Sequence, residues 1–589
     1  MATLSPPPVL VVFLLGVLLL ATATTTECHR HGHGRRHRHE SKAGAAAKAT
    51  PAGAVDVDAI CRTTPHPDSC LASTAAHLDA VSTASAASAS ASAISVQLLP
   101  PNILSVALAS LRGAVSAVSS LSPVLSSALS APPPSLPSGA SPLRRGAAQD
   151  CLELHSATLA SLSLSASLLA SPGEGLPAVR AHLAAALTNK ATCLDGLAGA
   201  SGPEMDGLQA SLDDAYAHVT NSLSLVASRG DSGPGGSAAS FAAAVAKIIH
   251  HNRRLLDDDA DYSDNGGDDD NNSGDDSTVV ITVAKDGSGN YRTVGEAVAA
   301  APNNSAARTV IRVKAGTYEE NVEVPPYKTN IALIGDGRDT TVITGSRSAA
   351  DGWTTFRSAT FGVSGEGFMA RDVTFRNTAG AAKGQAVALR VSADMAAAYR
   401  CGVDGHQDAL YAHSFRQFYR ECALSGTVDL VFGNAAAVLQ ACALVARNPV
   451  AGQSNVLTAQ ARGDPNEDTG FSVHNCTVSA SPELVAGTRT FLGRPWRPYA
   501  RAVVMDSYLG PLVDRAGWVD WPGAEPGRAD TVYFGEYGNG GPGAATDGRV
   551  GWTGFHDMGY DEAAQFSVDN LISGDEWLAA TSFPYDDDV

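Results

Sequence analysis

Two aspartates and two glutamines recur at nearly one interval in the C-terminal half of this 589-residue chain: the step from Gln385 to Gln407 is 22, and that from Asp408 to Asp429 is 21. The cysteines share the period, with a step of 21 from Cys401 to Cys422 and of 20 from Cys422 to Cys442. Repeats of about 20 residues or more are the mark of a solenoid, in which positions one turn apart lie on neighbouring parallel strands about 4.8 Å apart. Asp408 is then expected beside Asp429, with Gln385 and Gln407 in one column on the preceding turns, all on one exposed face. Carboxyls that close cannot both ionise easily, so one should keep its proton while the other stays charged, which separates an acid from a nucleophile. Glutamine N–H donors suit the oxyanion that forms on an attacked ester carbonyl, and a nearby arginine would hold the ionised carboxylate in place. Taken alone, either aspartate reads better as a solenoid turn residue satisfying backbone groups. Two Asp and two Gln in register point instead to chemistry.

The elements that must position these groups are short strands. Val279–Val283, Thr309–Val313, Ile331–Ile334, Thr340–Ile343, Phe368–Phe375 and Ala386–Val391 are β-rich runs punctuated by Gly, Asn and Asp, and with the repeat they predict an all-β, right-handed parallel β-helix over 279–589. The preceding region, 55–250, is rich in Ala, Leu and Ser. Ile103–Leu129, Asp150–Leu169, Leu176–Leu197 and Met205–Ala227 each space apolar residues by three or four, which predicts an all-α four-helix bundle. Residues 251–278 read as an exposed acidic linker that cannot build a core. Arg253 and Arg254 stand just before it as an accessible protease target. A faint calcium-loop pattern from Asp261 fails because Asn272 occupies the place of the bidentate Glu.

At the N-terminus, the apolar run Val9–Ala21 fits a secretory signal over 1–26 and is short for a span, which needs about 20 apolar residues. A His/Arg-rich tail follows at 27–54 and reads as a solvated basic segment. Nine cysteines behind an export signal should mostly be disulfide-bonded. They fall into Cys28 alone and two sets of four, Cys61, Cys70, Cys151 and Cys193, then Cys401, Cys422, Cys442 and Cys476, which suggests two separately stapled domains. With 44% hydrophobic and 17% charged residues the chain is globular, and a formal charge of −19 excludes nucleic acid as a partner. By count, 279–589 carries about ten of those net negative charges, which predicts weak retention on an acidic polymer.

The blocks Gly405-His406-Gln407-Asp408-Ala409-Leu410-Tyr411, Arg416-Gln417-Phe418-Tyr419 and Gly426-Thr427-Val428-Asp429-Leu430-Val431-Phe432-Gly433 resemble the pectin methylesterase family. So do Gly316-Thr317-Tyr318-Glu319-Glu320, Gly384-Gln385-Ala386 and Leu492-Gly493-Arg494-Pro495-Trp496, in the family's order. The resemblance implies Asp429 as nucleophile, Asp408 as general acid then base, Gln385 and Gln407 as oxyanion donors, and Arg494 paired with Asp429. Tyr411, Phe432 and Trp496, with Gln385 and Arg494, would bind methylesterified pectin. Neither a metal nor an organic cofactor is required by that scheme. Cys401–Cys422 and Cys442–Cys476 would be the family's staples. The family usually has Thr where Ala409 stands and Phe-Ile where Leu430-Val431 stand, and neither departure removes a catalytic group.

The region from Ile60-Cys61 to Thr220-Asn221-Ser222-Leu223 resembles the pectin methylesterase and invertase inhibitor family. This implies the pairs Cys61–Cys70 and Cys151–Cys193, an autoinhibitory or folding-assistant pro-region, and release by a subtilisin-like protease cutting after Arg254. A separate proteinaceous inhibitor is a further expected partner. The expected location is extracellular, in the cell wall, with no stable membrane insertion after signal cleavage. Asn271, Asn303 and Asn475 stand in glycan-acceptor patterns. The competing readings are a chain-cleaving glycosidase or lyase on the same β-helix, and a pectin-binding or inhibitor protein whose β-helix is inactive.

Overall fold

The computed structural model describes residues 56–76, 103–130, 146–170, 175–198, 203–228, 279–523 and 527–589. The expected signal segment, the His/Arg-rich tail, Cys28, Arg253, Arg254, the acidic linker and Asn271 lie outside the described residues.

A short helix α1 (Val57–Cys61) starts where the Asp56 side chain accepts from the Ala59 N–H at 3.2 Å. Four long helices follow: α2 (Ile103–Ser130), α3 (Ala147–Ala170), α4 (Leu176–Leu197) and α5 (Pro203–Ala227). The apolar stripe of α2, from Val106 through Leu111, Val118 and Leu125, is buried against Leu154, Leu183, Leu212 and Val219 of the other three. That is how a bundle of amphipathic helices removes its apolar faces from water. Disulfides Cys61–Cys70 and Cys151–Cys193 form as expected, the second tying α3 to α4.

The C-terminal region coils into three parallel sheets of eleven, seven and eight strands. One coil, Leu410–Ala412, Arg416–Arg420 and Ala423–Gly426, gives one strand to each sheet. The coil register is set by pairs such as Leu389 with Leu410 and Leu410 with Val431. The corner between the eleven- and eight-stranded sheets is a column of residues in the left-handed region: Asp372, Arg400, Glu421, Ala441, Asn475 and Asp506, with φ between 46° and 56°. This conformation costs an L-residue energy, and the ladder offsets it. Each of the six donates its N–H to the carbonyl of the next coil, from Asp372 to Tyr399 (3.2 Å) through Asp506 to Tyr537 (2.9 Å). The run expected as one strand, Phe368–Phe375, is accordingly split at Asp372 into Met369–Arg371 and Thr374–Asn377.

Behind each corner residue one side chain turns into the coil: Val373, Cys401, Cys422, Cys442, Cys476 and Ser507, all buried. The expected pairs Cys401–Cys422 and Cys442–Cys476 are not bonded, and all four are free thiols. Each sulfur faces the carbonyl two residues back, at 3.4 Å (Tyr399), 3.4 Å (Arg420), 3.5 Å (Gln440) and 3.3 Å (His474). Equivalent positions on parallel coils project in the same direction about 4.8 Å apart. The sulfurs therefore run side by side, whereas a disulfide wants closer Cβ atoms, about 3.8 Å apart, that turn toward each other.

The core of the coil is aliphatic with an aromatic stack in which Phe361 meets Phe375 at 4.8 Å and Phe368 at 5.8 Å. Phe361 is fully buried, so Phe361→Ala should lower stability by about 3–5 kcal/mol through lost transfer energy and a cavity. A denaturant midpoint for the β-helix that does not move would contradict this packing. The helix Val294–Ala300, closed by a Thr293–Glu296 capping box, covers the first coil. The C-terminal segment lays Phe566, Leu571, Ile572 and Trp577 on the outer face formed by Met369, Phe418, Val438 and Val503.

Candidate active site

Asp408 and Asp429 stand at equivalent positions on consecutive coils. Asp408 donates its N–H to the Val428 carbonyl at 3.0 Å, and the strands that follow pair Leu410 with Val431. Both lie in the left-handed region, with φ of 64° and 55°. Asp tolerates that conformation better than most residues, and strain of this kind clusters where a side chain must be aimed. The two are only 5% and 4% exposed, which corrects the expectation of an exposed face: the helical bundle lies over it.

Arg494, on the strand Thr490–Pro495, reaches Asp429 through two parallel bonds, Nε to Oδ1 at 2.8 Å and Nη2 to Oδ2 at 2.7 Å. The register explains the reach. Phe432 pairs with Ala459 and Ala459 with Arg494, so only a methyl group stands on the coil between. Burial pushes both carboxyls above the ordinary range. Asp408 goes furthest, because the Asp429 charge adds to burial, while for Asp429 the Arg494 guanidinium works the other way. The outcome is that Asp408 holds its proton more tightly than Asp429 does.

The Gln407 side chain lies close enough to Asp408 to work against the burial that raises its carboxyl. Gln385 is on the preceding coil but one step out of register with Gln407: it is the Ala386 N–H that donates to the Gln407 carbonyl, at 3.1 Å. The interval of 22 between the glutamines against 21 for the strands (410 minus 389) accounts for the slip. Ala409, Leu430 and Val431 all point into the coil core, so the departures from the family pattern at these positions alter packing and leave the groove wall unchanged.

Tyr411 and Phe432 stack at 4.2 Å and 17°, Phe432 meets Trp496 at 6.0 Å, and Trp496 stacks on Trp521 at 6.3 Å. At the other end Phe356 sets its edge to Tyr411 at 6.5 Å and to His413 at 5.3 Å. Sequence reading found the middle three rings and missed Phe356 and Trp521, which lie outside the repeating blocks. The Arg494 guanidinium carbon also lies over the Trp521 ring, 4.2 Å from its centroid.

Helix α4 lies along this track. Thr192 Oγ1 is 2.9 Å from His413 Nε2 and 3.4 Å from the Tyr411 hydroxyl, and Asn434 donates to Thr188 Oγ1 at 2.9 Å. Asp195 pairs with Arg497 at 2.7 Å. Burial, with Arg390 nearby, lowers His413 to about 3, so it is a neutral partner. Burial also raises Glu467 to about 7, and Glu467 accepts from the Asn434 side chain at 3.2 Å. A cavity of about 550 Å³ remains between α4 and the groove, lined by Thr188, Thr192, Tyr411, Asn434, Glu467 and Trp496.

Carboxyls so paired on successive coils, one clamped by arginine at the centre of an aromatic track, place the protein among parallel β-helix hydrolases of the carboxylate-pair class. The chain belongs to the pectinesterase family. Residues 280–575 match that family, and residues 55–225 match the plant invertase/pectin methylesterase inhibitor family. The chain is 46% identical over 540 residues to a probable pectinesterase/pectinesterase inhibitor 12 of Arabidopsis thaliana, covering 90% of this chain and 93% of that one. It is 52% identical over 309 residues to a pectinesterase of Daucus carota, which covers 52% of this chain and 96% of the relative. The solved structure of pectin methylesterase from carrot is similar with a TM-score of 0.52 and 51% identity, over 54% of this chain and all (100%) of that one.

Proposed function

We propose that this chain removes methyl groups from the carboxyl esters of pectin, with Asp429 as the nucleophile and Asp408 as the acid and base. The observation that carries the reading is the Arg494 fork on Asp429 beside a second carboxyl that burial and the Asp429 charge push well above the ordinary range. An Asp429 oxygen attacks the ester carbonyl carbon, and the negative charge that collects on the carbonyl oxygen is met by the amides of Gln407 and Gln385. As the tetrahedral species collapses, the bond to methoxide breaks and Asp408 gives it a proton, releasing methanol and leaving an acyl–Asp429 anhydride. Asp408, now ionised, takes a proton from water, whose oxygen attacks the acyl carbon. Asp429 departs as a carboxylate, for which Arg494 is already in place, and the product is a free galacturonate carboxylate. Tyr411, Phe432 and Trp496 present ring faces to the sugars.

With α4 on the track, the bundle acts as a pro-region, consistent with its inhibitor-family match. The working division is 1–26 signal, 27–54 tail, 55–250 pro-domain, 251–278 processing segment and 279–589 enzyme. Cleavage after Arg254 by a subtilisin-like protease would free the groove in an extracellular, cell-wall setting. Asn303, exposed at a surface turn, suits a glycan.

Methanol release from highly methylated pectin, together with N-terminal sequencing of the extracellular form, tests this reading. Absence of methanol from a form that starts after Arg254 would sink it. Gln407→Ala should cut the rate by about 10²–10³ with KM little changed, the usual cost of one oxyanion donor. A rate within a few-fold of the parent would remove Gln407 from that role.

A further inference from the structure

A buried charge cluster outside the catalytic pair joins helix α3 to the β-helix. Arg357, only 8% exposed on its side chain, places Nε at 2.8 Å and Nη2 at 2.8 Å from Asp150 Oδ1, and Nη2 at 2.6 Å from Glu153 Oε2. The Thr354 hydroxyl donates to the other Asp150 oxygen, and the Arg357 N–H donates to the Thr354 oxygen at 3.1 Å, so the receiving groups are fixed to each other. The receptor belongs wholly to the β-helix side, and the acids that fill it belong wholly to α3. Beneath them Glu323 is shared by Arg357 (3.6 Å) and Arg390 (2.6 Å), and Arg390 lies 3.6 Å over the Phe356 ring. Removing Asp150 and Glu153 would leave two guanidiniums around one carboxylate.

A buried ion cluster is a poor way simply to dock two surfaces, since apolar residues of the same volume usually serve as well or better. Its position suggests another role. Phe356, next in chain to Arg357, begins the aromatic track that runs through Tyr411, Phe432 and Trp496 to Trp521. Toward the other end, the Arg497 guanidinium lies 5.5 Å from the Trp496 ring and is paired with Asp195 of α4. The bundle thus sets carboxylates on a cation at both ends of the sugar track, with the catalytic pair between.

We propose that Thr354 and Arg357 form a subsite for the free carboxylate of a galacturonate unit, which Asp150 and Glu153 occupy by imitation, and that Arg497 takes a second at the opposite end. This rests on the pectin reading of the groove and adds to it a preference for esters flanked by acid units.

The test uses the full chain and reads binding without turnover. A fully de-esterified galacturonate hexamer and its fully methylated counterpart are titrated calorimetrically into the parent, Asp150→Asn/Glu153→Gln, and that variant with Arg357→Gln added. The double variant should bind the acid hexamer about 10-fold tighter than the parent, the size expected for charge-assisted hydrogen bonds made accessible, and added Arg357→Gln should abolish the gain. Equal gains for the acid and methylated hexamers, or a gain that survives Arg357→Gln, would overturn the assignment. Should the double variant misfold, excess acid hexamer on the parent chain should speed amide hydrogen exchange across Ala147–Ala170 while the methylated hexamer does not. Identical exchange with the two would equally overturn it. Because no methanol is measured, a failed esterase reading and a failed carboxylate subsite give separate results.

Discussion

Asp429→Asn in the processed enzyme is expected to lower methanol release by about 10⁴-fold or more, the scale seen when a nucleophile is removed from a covalent mechanism. The amide keeps the shape and part of the hydrogen bonding but cannot form the acyl intermediate. It also takes away the carboxylate that both Arg494 nitrogens hold at 2.8 and 2.7 Å, leaving a mostly buried guanidinium without its counter-charge. Loss of activity should therefore come with a modest fall in thermal stability. Methanol production within about 10-fold of the parent would show that some other group attacks the ester.

Asp408→Asn is the second large effect, and it has opposite signs for rate and stability. The rate should fall by about 10²–10⁴, the contribution of a positioned acid and base. Stability near neutral pH should rise. The folded-state pKa of Asp408 lies well above its unfolded value because of burial and the Asp429 charge. A raised acid contributes stability that is complete below the unfolded pKa, near 4, and is lost as pH climbs through the folded pKa. The amide cannot ionise, so the loss on the alkaline side disappears and the pH–stability curve flattens above about 4. An Asp408→Asn protein less stable than the parent at neutral pH would contradict the placement of this carboxyl against Asp429. In the full chain, with the bundle in place, the Asp429–Asp408 pair should titrate as a unit above the ordinary aspartate range, because burial raises both members, and an NMR titration of the two carboxyls checks it.

The coil repeat made the catalytic pair legible. Asp408 and Asp429 share a column because the step between them equals the step between Leu410 and Val431, the paired residues of the strands that follow. The same spacing logic misplaced Gln385 by one step and, with the family pattern, suggested disulfides among Cys401, Cys422, Cys442 and Cys476. Period alone gives the coil on which a residue lies, but whether two side chains turn toward each other depends on the corner geometry. Helix periodicity located α2 to α5 within three residues at each end, since amphipathic stripes are read along one segment. What no repeat encodes is how α3 and α4 lie on the β-helix. Arg357 sits in a single 3₁₀ turn, Phe356–Ser358, with Thr354 in the irregular chain before it, Trp521 lies in a loop, and the Asp150–Arg357 contact joins positions 207 residues apart. Such pairings depend on shape in three dimensions and leave no local signal.

The left-handed corner column has an evolutionary consequence. Because register is enforced at that one edge, where six successive coils pass the same kind of bend, the chain on the other sides is free to differ in length from coil to coil. The excursions between Ala446 and Asn455, Gln460 and Gly470, and Ala480 and Thr490 already do so. Lineages can therefore lengthen, trim or exchange the banks of the groove while the reacting aspartates stay where they are, which makes preference for particular polymers a far more mutable trait than the chemistry itself.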